Sequence, residues 1–193
     1  MLKNFYIFRN GQSSYNLAGK FQGQSNDSVL TEQGIMQAFS AANSLKDKKI
    51  DIIISSPQRR AKQTGSIVAK QLHKPILYDS RFAEVNLGSL DGTPLKKISK
   101  KNRIILDKWL NKIAQNDACF QNGEKKSELR ARILSALNEY ADSPYQNIAV
   151  SSHNFSIIEA LQSMNTTKEH INNGEIIHLQ YNGADWKYVQ SLN

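Results

Sequence analysis

Residues 5–11 have the sequence Phe5-Tyr6-Ile7-Phe8-Arg9-Asn10-Gly11. Its run of aromatic and β-branched residues, stopped by a glycine, predicts a short buried strand. Arg9 and Asn10 then lie where this strand ends. Whether the strand belongs to a parallel sheet depends on the order of the segments that follow it.

Predicted strands and helices alternate from this stretch to about residue 163. Such an order predicts an α/β fold with three layers, in which a mostly parallel central sheet has helices on both faces. Thr31 is suited to cap one helix, and Pro57 to stand early in the next. The predicted strands are residues 5–8, 50–54, 75–78 and 147–151, with a hairpin of 176–181 and 186–189 turned by Asn182-Gly183; the predicted helices are residues 31–48, 57–71, 94–114, 126–141 and 155–161.

The composition indicates one folded domain over residues 1–193, because no repeat or linker divides the chain and 39% of its residues are hydrophobic. The formal charge of +8 favours anionic ligands. The lysine-rich run Lys96–Lys101 lacks interleaved aromatic residues, so we interpret it as a solvated helix face and expect no nucleic-acid partner.

The cysteine content and the apolar runs of the sequence bear on the cellular compartment of the protein. Cys119 is the only cysteine, which excludes an intramolecular disulfide and fits a reducing compartment. The first residues lack the pattern of a signal peptide, and the sequence contains no run of 18 apolar residues. We therefore expect a cytoplasmic protein with no membrane segment. Its oligomeric state is left open by the sequence.

Ligands of a parallel sheet bind at the carboxyl ends of its strands, in the loops before the following helices. These loops are Arg9-Asn10-Gly11-Gln12, then Ser55-Ser56-Pro57 with Arg59 and Arg60 beyond it, and Ser151-Ser152-His153-Asn154. Arginine binds phosphate through a planar pair of donors and stays charged, so Arg9 and Arg60 are candidates for a phosphate site. Each of them could equally be a solvated surface residue.

His153 and Glu84 are candidate catalytic residues on weaker grounds. A lone histidine is more often structural, and Glu84 could be a surface carboxylate. The histidines have no partners at metal-ligand spacing, and neither a P-loop nor a Gly-x-Ser-x-Gly motif is present. We expect neither a metal nor another cofactor.

Taken together, these segments resemble the histidine phosphatase superfamily, which includes phosphoglycerate mutases and α-ribazole phosphatases. The motifs follow the family's order over residues 6–154, and Gly123-Glu124 is similar to a looser family element. The resemblance rests on Phe8-Arg9-Asn10-Gly11-Gln12-Ser13, Leu30-Thr31-Glu32-Gln33-Gly34, Ser55-Ser56-Pro57-Gln58-Arg59-Arg60-Ala61-Lys62-Gln63-Thr64, Arg81-Phe82-Ala83-Glu84 and Val150-Ser151-Ser152-His153.

The resemblance implies a role for each site residue. In the family, a first histidine attacks phosphorus, two arginines and a second histidine neutralise the phosphoryl oxygens, and a glutamate protonates the leaving group. Carried over, this makes Glu84 the acid and base and Asn16 an accessory phosphate contact. The pocket is formed by Arg9, Arg60 and His153, and the implied ligand is a phosphorylated small molecule or inorganic phosphate.

Asn10 departs from the family, because it stands where the nucleophilic histidine is expected. The nitrogen of an amide is not a usable nucleophile, so a phosphohistidine cannot form there. Three explanations are open: natural loss of activity, a substitution introduced to trap a ligand, or direct attack by water with Glu84 as base. Asn154, where relatives usually have glycine, is a second departure and favours natural divergence.

The sequence is therefore compatible with three functions. The leading one is a phosphate-monoester phosphatase, impaired by Asn10; the short chain favours a phosphatase over a mutase. The second is a non-catalytic module that binds a phosphorylated ligand or phosphoprotein. Nucleic-acid binding is the third and rests on net charge alone. The substrate depends on the loop after Asn16 and on residues 92–125.

Overall fold

A computed structural model describes residues 2–110 and 119–192 of the chain. Its centre is a six-stranded sheet in the order β3-β2-β4-β1-β5-β6. The first four strands in this order are mutually parallel, and β5 and β6 form an antiparallel hairpin on β1. The predicted mostly parallel sheet is confirmed. The strands are β1 (Lys3–Arg9), β2 (Ile52–Ser55), β3 (Ile76–Tyr78), β4 (Asn147–Ser152), β5 (Ile176–Tyr181) and β6 (Trp186–Leu192).

Helices cover both faces of this sheet, because side chains along a buried strand alternate between two apolar layers. In β1, Tyr6 and Phe8 pack with α2 and α3, whereas Phe5 and Ile7 belong to the core that includes α5 and α6. Three layers result, as predicted. The helices are α1 (Ser14–Leu17), α2 (Glu32–Leu45), α3 (Arg59–Leu72), α4 (Lys100–Leu110), α5 (Lys126–Ala141) and α6 (Asn154–Ser163).

The register of the parallel strands brings three chain segments to one edge. Arg9 pairs with Ser152, and Ser55 pairs with Ser151. The loops after β1, β2 and β4 therefore begin side by side at the carboxyl edge of the sheet. This is the edge where the sequence predicts the site.

Several predicted boundaries were wrong in detail: β2 begins at Ile52 instead of residue 50, β6 continues to Leu192 instead of residue 189, and two helices differ as well. The helix after β2 begins at Arg59 instead of near Pro57, because Gln58 remains extended with ψ 134° and its buried side chain contacts other loops. The helix predicted over residues 94–114 is a short 3-10 turn followed by α4, and residues 111–114 lie outside the described residues. The single domain over residues 1–193 stays a prediction. Among the helices in the described ranges, none is long and apolar enough to cross a membrane.

Candidate functional site

A cavity of about 190 Å³ lies at the carboxyl edge of the sheet. All of the site residues predicted from the sequence line it except His153, which lies directly behind it and contacts Asn10. The fold thus brings together residues from four separate loops. The lining residues are Arg9, Asn10, Asn16, Lys20, Phe21, Gln22, Arg60, Glu84, Leu87, Leu95, Asn154 and Phe155.

Arg9 continues from β1 into this cavity and is only 8% exposed. Its Nη1 donates a hydrogen bond to the carbonyl oxygen of Ile171 at 2.5 Å and lies 3.2 Å from Nε2 of His170. Burial lowers the pKa of the guanidinium, while the negative charges of Glu84 and Glu175 oppose that shift. The loop before β5 therefore orients Arg9.

Arg60 lies in the first turn of α3 and is 2% exposed. Its Nη2 donates to the carbonyl oxygen of Gly23 at 2.9 Å, and its Nη1 donates to that of Ser25 at 3.2 Å. Burial lowers its pKa to about 10, which still leaves it charged at neutral pH. The loop after α1 thus holds this guanidinium rigidly at the cavity.

Neither guanidinium has a carboxylate ion-pair partner within 4.0 Å among residues 2–110 and 119–192. Backbone carbonyls hold Arg9 and Arg60 in place but carry no net charge. Removing a charge from water is costly unless an opposite charge compensates for it. The cavity therefore has a local positive charge that an anion would neutralise.

Gln22 adds a further donor to the same cavity. Its Nε2 is buried and has no hydrogen-bond partner in the described part of the chain, while its Oε1 lies 2.8 Å from Oγ of Ser13. A buried amide N–H without a partner costs roughly 1–3 kcal/mol, so an acceptor in the cavity would relieve that cost. The donor set of the cavity thus extends beyond the arginines.

The side chain of Glu84 is buried against the first turn of α6. Its Oε2 accepts a hydrogen bond from N–H of Phe155 at 3.2 Å, and its Oε1 accepts those of Val85 at 3.0 Å and Ser156 at 3.2 Å. Burial raises the pKa of the carboxyl group, and the charge of Arg60 partly opposes this. A carboxyl group with a raised pKa can hold the proton that a leaving group needs.

The segment that carries Glu84 is anchored by Arg132 of α5. Its Nη1 donates to the carbonyl oxygens of Arg81 and Ala83, both at 2.7 Å, and its Nη2 donates to that of Glu84 at 3.0 Å. Glu124 pairs with Arg132 at 2.6 Å. This fixes the position of Glu84 and gives the Gly123-Glu124 segment a physical role.

His153 and Asn10 form one hydrogen-bonded unit. Nδ2 of Asn10 donates to the carbonyl oxygen of Gly11 at 2.8 Å, which leaves Oδ1 as the acceptor facing Nδ1 of His153 at 3.1 Å. Burial lowers the pKa of His153 well below its usual range, and the charges of Arg60, Arg132 and Arg9 lower it further.

The imidazole of His153 is therefore neutral, and its tautomer follows from this network. Nδ1 carries the hydrogen that is donated to Asn10. Nε2 accepts from the hydroxyl group of Ser56, whose Oγ lies 2.8 Å away. Ser56 is thus a site residue that our sequence analysis placed in the loop without assigning it a role.

Asn16 lies at the rim of the cavity and is linked to the loop before β5. Its Oδ1 accepts hydrogen bonds from N–H of Ser13 at 3.1 Å and from Nδ2 of Asn173 at 3.3 Å. Asn173 also donates to the carbonyl oxygen of Asn10 at 2.9 Å. Asn173 therefore connects two of the predicted site residues.

Sequence reasoning missed Gln22, Gln58 and Asn173. Gln58 donates to the carbonyl oxygen of Gly23 at 2.7 Å and accepts from N–H of Glu84 at 2.6 Å, so it joins the loops of Arg60 and Glu84. These are uncharged amides in polar loops, and their spacing carries no periodic signal. Only the position of Gln58 beside Arg59 and Arg60 could have singled it out.

The sequence of residues 5–193 matches the family model of the histidine phosphatase superfamily (branch 1), so the chain belongs to this family. The predicted family and its fold are thereby confirmed. The family's members similar to this chain include proteins described as phosphatases and as mutases.

Two relatives illustrate this range. The "Putative phosphoserine phosphatase 2" of Hydrogenobacter thermophilus is 30% identical over 199 residues, which cover 99% of this chain and 97% of that protein. The "Probable phosphoglycerate mutase GpmB" of Escherichia coli K12 is 32% identical over 141 residues, which cover 72% of this chain. That match spans 63% of the mutase, less than two thirds of its length.

Solved structures agree in fold. A mycobacterial glucosyl-3-phosphoglycerate phosphatase complexed with VO3 has a TM-score of 0.85 at 21% identity, with 97% of both chains covered. YhfR of Bacillus stearothermophilus has a TM-score of 0.85 at 22% identity, with 96% of this chain and 95% of that chain covered. At these identities the likeness supports the fold alone.

Proposed function

We propose that this chain binds phosphate monoesters and inorganic phosphate in the cavity between Arg9 and Arg60. The observation that carries the proposal is the pair of buried guanidinium groups without carboxylate partners among the described residues, beside the unpartnered amide N–H of Gln22. Phosphate oxygens accept charge-assisted hydrogen bonds from such groups. Because the arginines supply the positive charge, the proposal assigns no role to a metal.

In this proposal, Glu84 is the acid and base, and His153 supports the phosphoryl group from behind Asn10, while Asn16 is an accessory contact. Asn10 occupies the position of the nucleophile, and its amide cannot form a phosphoryl-enzyme intermediate. We therefore expect a phosphatase by ancestry whose turnover is strongly impaired. The single cysteine supports a reducing location such as the cytoplasm.

The decisive experiment is turnover of p-nitrophenyl phosphate by the chain and by its Asn10→His variant. We expect the histidine variant to be faster by about three orders of magnitude or more, because it regains the missing member of a cooperating catalytic unit. Asn10→Gln, which restores size but no nucleophile, is the matched control and should stay slow. A folded, phosphate-binding Asn10→His variant without activity would show that residue 10 is not the nucleophile position.

A second candidate function is a non-catalytic module that binds a phosphorylated ligand. It is favoured by the way Asn10 is held at both ends, by Gly11 and His153, which gives the amide a structural role of its own. Calorimetric titration with phosphate and vanadate tests this function. Tight binding that is lost in Arg9→Ala, together with inactivity of both the parent chain and Asn10→His, would favour the binding module over the impaired phosphatase.

A further inference from the structure

A second cavity, of about 380 Å³, lies beside the phosphate cavity. Phe155 lines both of them, so the two spaces are neighbours. The second cavity has the size of a small-molecule site, while the phosphate cavity, at about 190 Å³, is smaller than such sites usually are. Its wall includes Trp109, Lys126, Ile158, Glu159 and Gln162.

The proposed acid contacts the residue that the two cavities share. Backbone N–H of Phe155, in the first turn of α6, donates to Oε2 of Glu84 at 3.2 Å. In hydrolysis of a phosphate monoester, the acid protonates the oxygen that links phosphorus to the alcohol. The alcohol portion of the substrate would therefore lie on the Glu84 side of the phosphate cavity, towards Phe155 and the second cavity.

The wall of the second cavity combines an aromatic and aliphatic part with polar and charged side chains. The rings of Trp109 and Phe155 meet edge to face, with centroids 5.7 Å apart and planes at 79°. Ile158 adds an aliphatic surface beside them. An apolar cavity of about 150 Å³ already accommodates a benzene ring, so the volume here leaves room for a ring with substituents.

Both lysines on this wall have carboxylate partners. Nζ of Lys126 lies 3.1 Å from Oε1 of Glu159, whose other oxygen is 3.1 Å from Arg130. Lys168 pairs with Glu175. Because these cations have carboxylate partners, the cavity gains little from a second anionic group on the ligand.

One polar group of the wall still lacks a partner. Trp109 is 4% exposed, and its indole Nε1 has no hydrogen-bond partner within the described ranges. Indole N–H is only a donor and usually finds an acceptor when buried. A ligand atom that accepts a hydrogen bond would satisfy it.

We infer that the second cavity receives an uncharged, ring-bearing alcohol portion of the phosphate monoester, with an acceptor atom for the Trp109 N–H. This rests on the proposed phosphate site and narrows its substrate class. It distinguishes this chain's substrate from small phosphorylated acids such as phosphoserine, whose carboxylate would enter a space where the cations are already paired.

The test is calorimetric titration of the full chain with inorganic phosphate, phenyl phosphate, 4-nitrophenyl phosphate and phosphoserine. We expect both aryl phosphates to bind about tenfold more tightly than inorganic phosphate, and phosphoserine to show no such gain. Trp109→Phe keeps a ring but removes the donor, so it should weaken binding of 4-nitrophenyl phosphate severalfold while inorganic phosphate binds unchanged. The control is Trp186→Phe, whose indole N–H donates to Asn138 instead.

The outcomes separate the two proposals. Absence of binding by inorganic phosphate would overturn the phosphate site itself. The inference about the second cavity is wrong if inorganic phosphate binds but the aryl phosphates bind no more tightly than it does. It is also wrong if phosphoserine binds as tightly as the aryl phosphates. If Trp109→Phe does not fold, Gln162→Trp provides the same test by filling the cavity from its half-buried wall, and it should abolish the aryl gain alone.

Discussion

At the scale of single residues, the central feature is the contrast between neighbouring arginines of α3. Arg59 is exposed, whereas Arg60 is 2% exposed and bonded to the carbonyl oxygens of Gly23 and Ser25. Adjacent residues of a helix project about 100° apart, so one can face the interior while its neighbour faces solvent. Two arginines one position apart therefore have different surroundings: Arg60 is buried at the cavity, and Arg59 is exposed to solvent.

This contrast allows a matched test of the phosphate site. Arg60→Gln should weaken binding of inorganic phosphate by about 10–100-fold, because a charge-assisted bond in a buried site is replaced by a neutral one. Arg59→Gln removes the same charge from the same turn and should change the affinity by less than about twofold. Isothermal titration measures both, with thermal unfolding to check the fold; equal losses in the two variants would indicate a general electrostatic effect in place of a specific contact.

Arg60→Lys refines the result. It retains the charge but loses the planar pair of donors, so we expect an affinity between those of the parent chain and Arg60→Gln. The intermediate value would separate the contribution of geometry from that of charge.

At the scale of elements, the loop after β1 lies directly against the start of α2. An ideal Cβ on Gly34 would come 2.1 Å from the carbonyl oxygen of Gln12, and one on Gly11 would come 2.2 Å from that of Gly34. The same Gln12 carbonyl accepts the backbone N–H of Thr31, the residue that caps α2, at 3.0 Å. The close approach of two backbones positions the loop that carries Arg9 and Asn10.

We therefore expect Gly34→Ala to lower the free energy of unfolding by about 3 kcal/mol, because backbone must move to admit the methyl group. Urea denaturation measures the change. The control is Gly19→Ala, where a Cβ meets nothing within 4 Å but φ is +59°; its left-handed backbone costs about 1 kcal/mol. A Gly34→Ala chain as stable as Gly19→Ala would contradict the packing of this loop on α2.

At the scale of the whole molecule, burial of imidazole groups links stability to pH. Burial lowers the pKa of His153, and those of His170 and His178, below the value of about 6.5 that an unfolded chain shows. Below that pH, the unfolded state binds protons that the folded state does not, so the free energy of unfolding falls as pH falls. Glu84 acts in the opposite direction, since burial raises its pKa.

The contribution of His153 can be isolated. Between pH 7 and pH 5, the free energy of unfolding should fall more in the parent chain than in His153→Asn, which cannot take up a proton when it unfolds. His73→Asn is the control, since His73 is exposed at the end of α3 in a left-handed conformation that asparagine tolerates. Urea titrations at several pH values give the slopes; identical slopes for the parent and His153→Asn would mean that the folded state also binds this proton.

The α/β order, the mostly parallel sheet and the family were predictable from the amino-acid sequence alone. Runs such as Phe5–Phe8 and Ile52–Ile54 are local patterns whose period and composition reflect burial. Charged residues at strand ends, among them Arg9 and Arg60, were also predictable, because parallel strands bring their carboxyl ends to one edge. The structure places both of them in the same cavity.

Which uncharged residues join the site, and what surrounds it, became clear from the folded chain and not from the sequence. Gln22 lines the same cavity as Arg60, Ser56 hydrogen-bonds to His153, and the ring of Trp109 packs edge to face on that of Phe155. The two partners of each pair are far apart in the sequence. Side chains with amide, hydroxyl or indole groups are common at many positions outside functional sites, so their type and spacing do not reveal such contacts. Their roles arise from burial and from the partner each one meets, which the packing of distant segments determines.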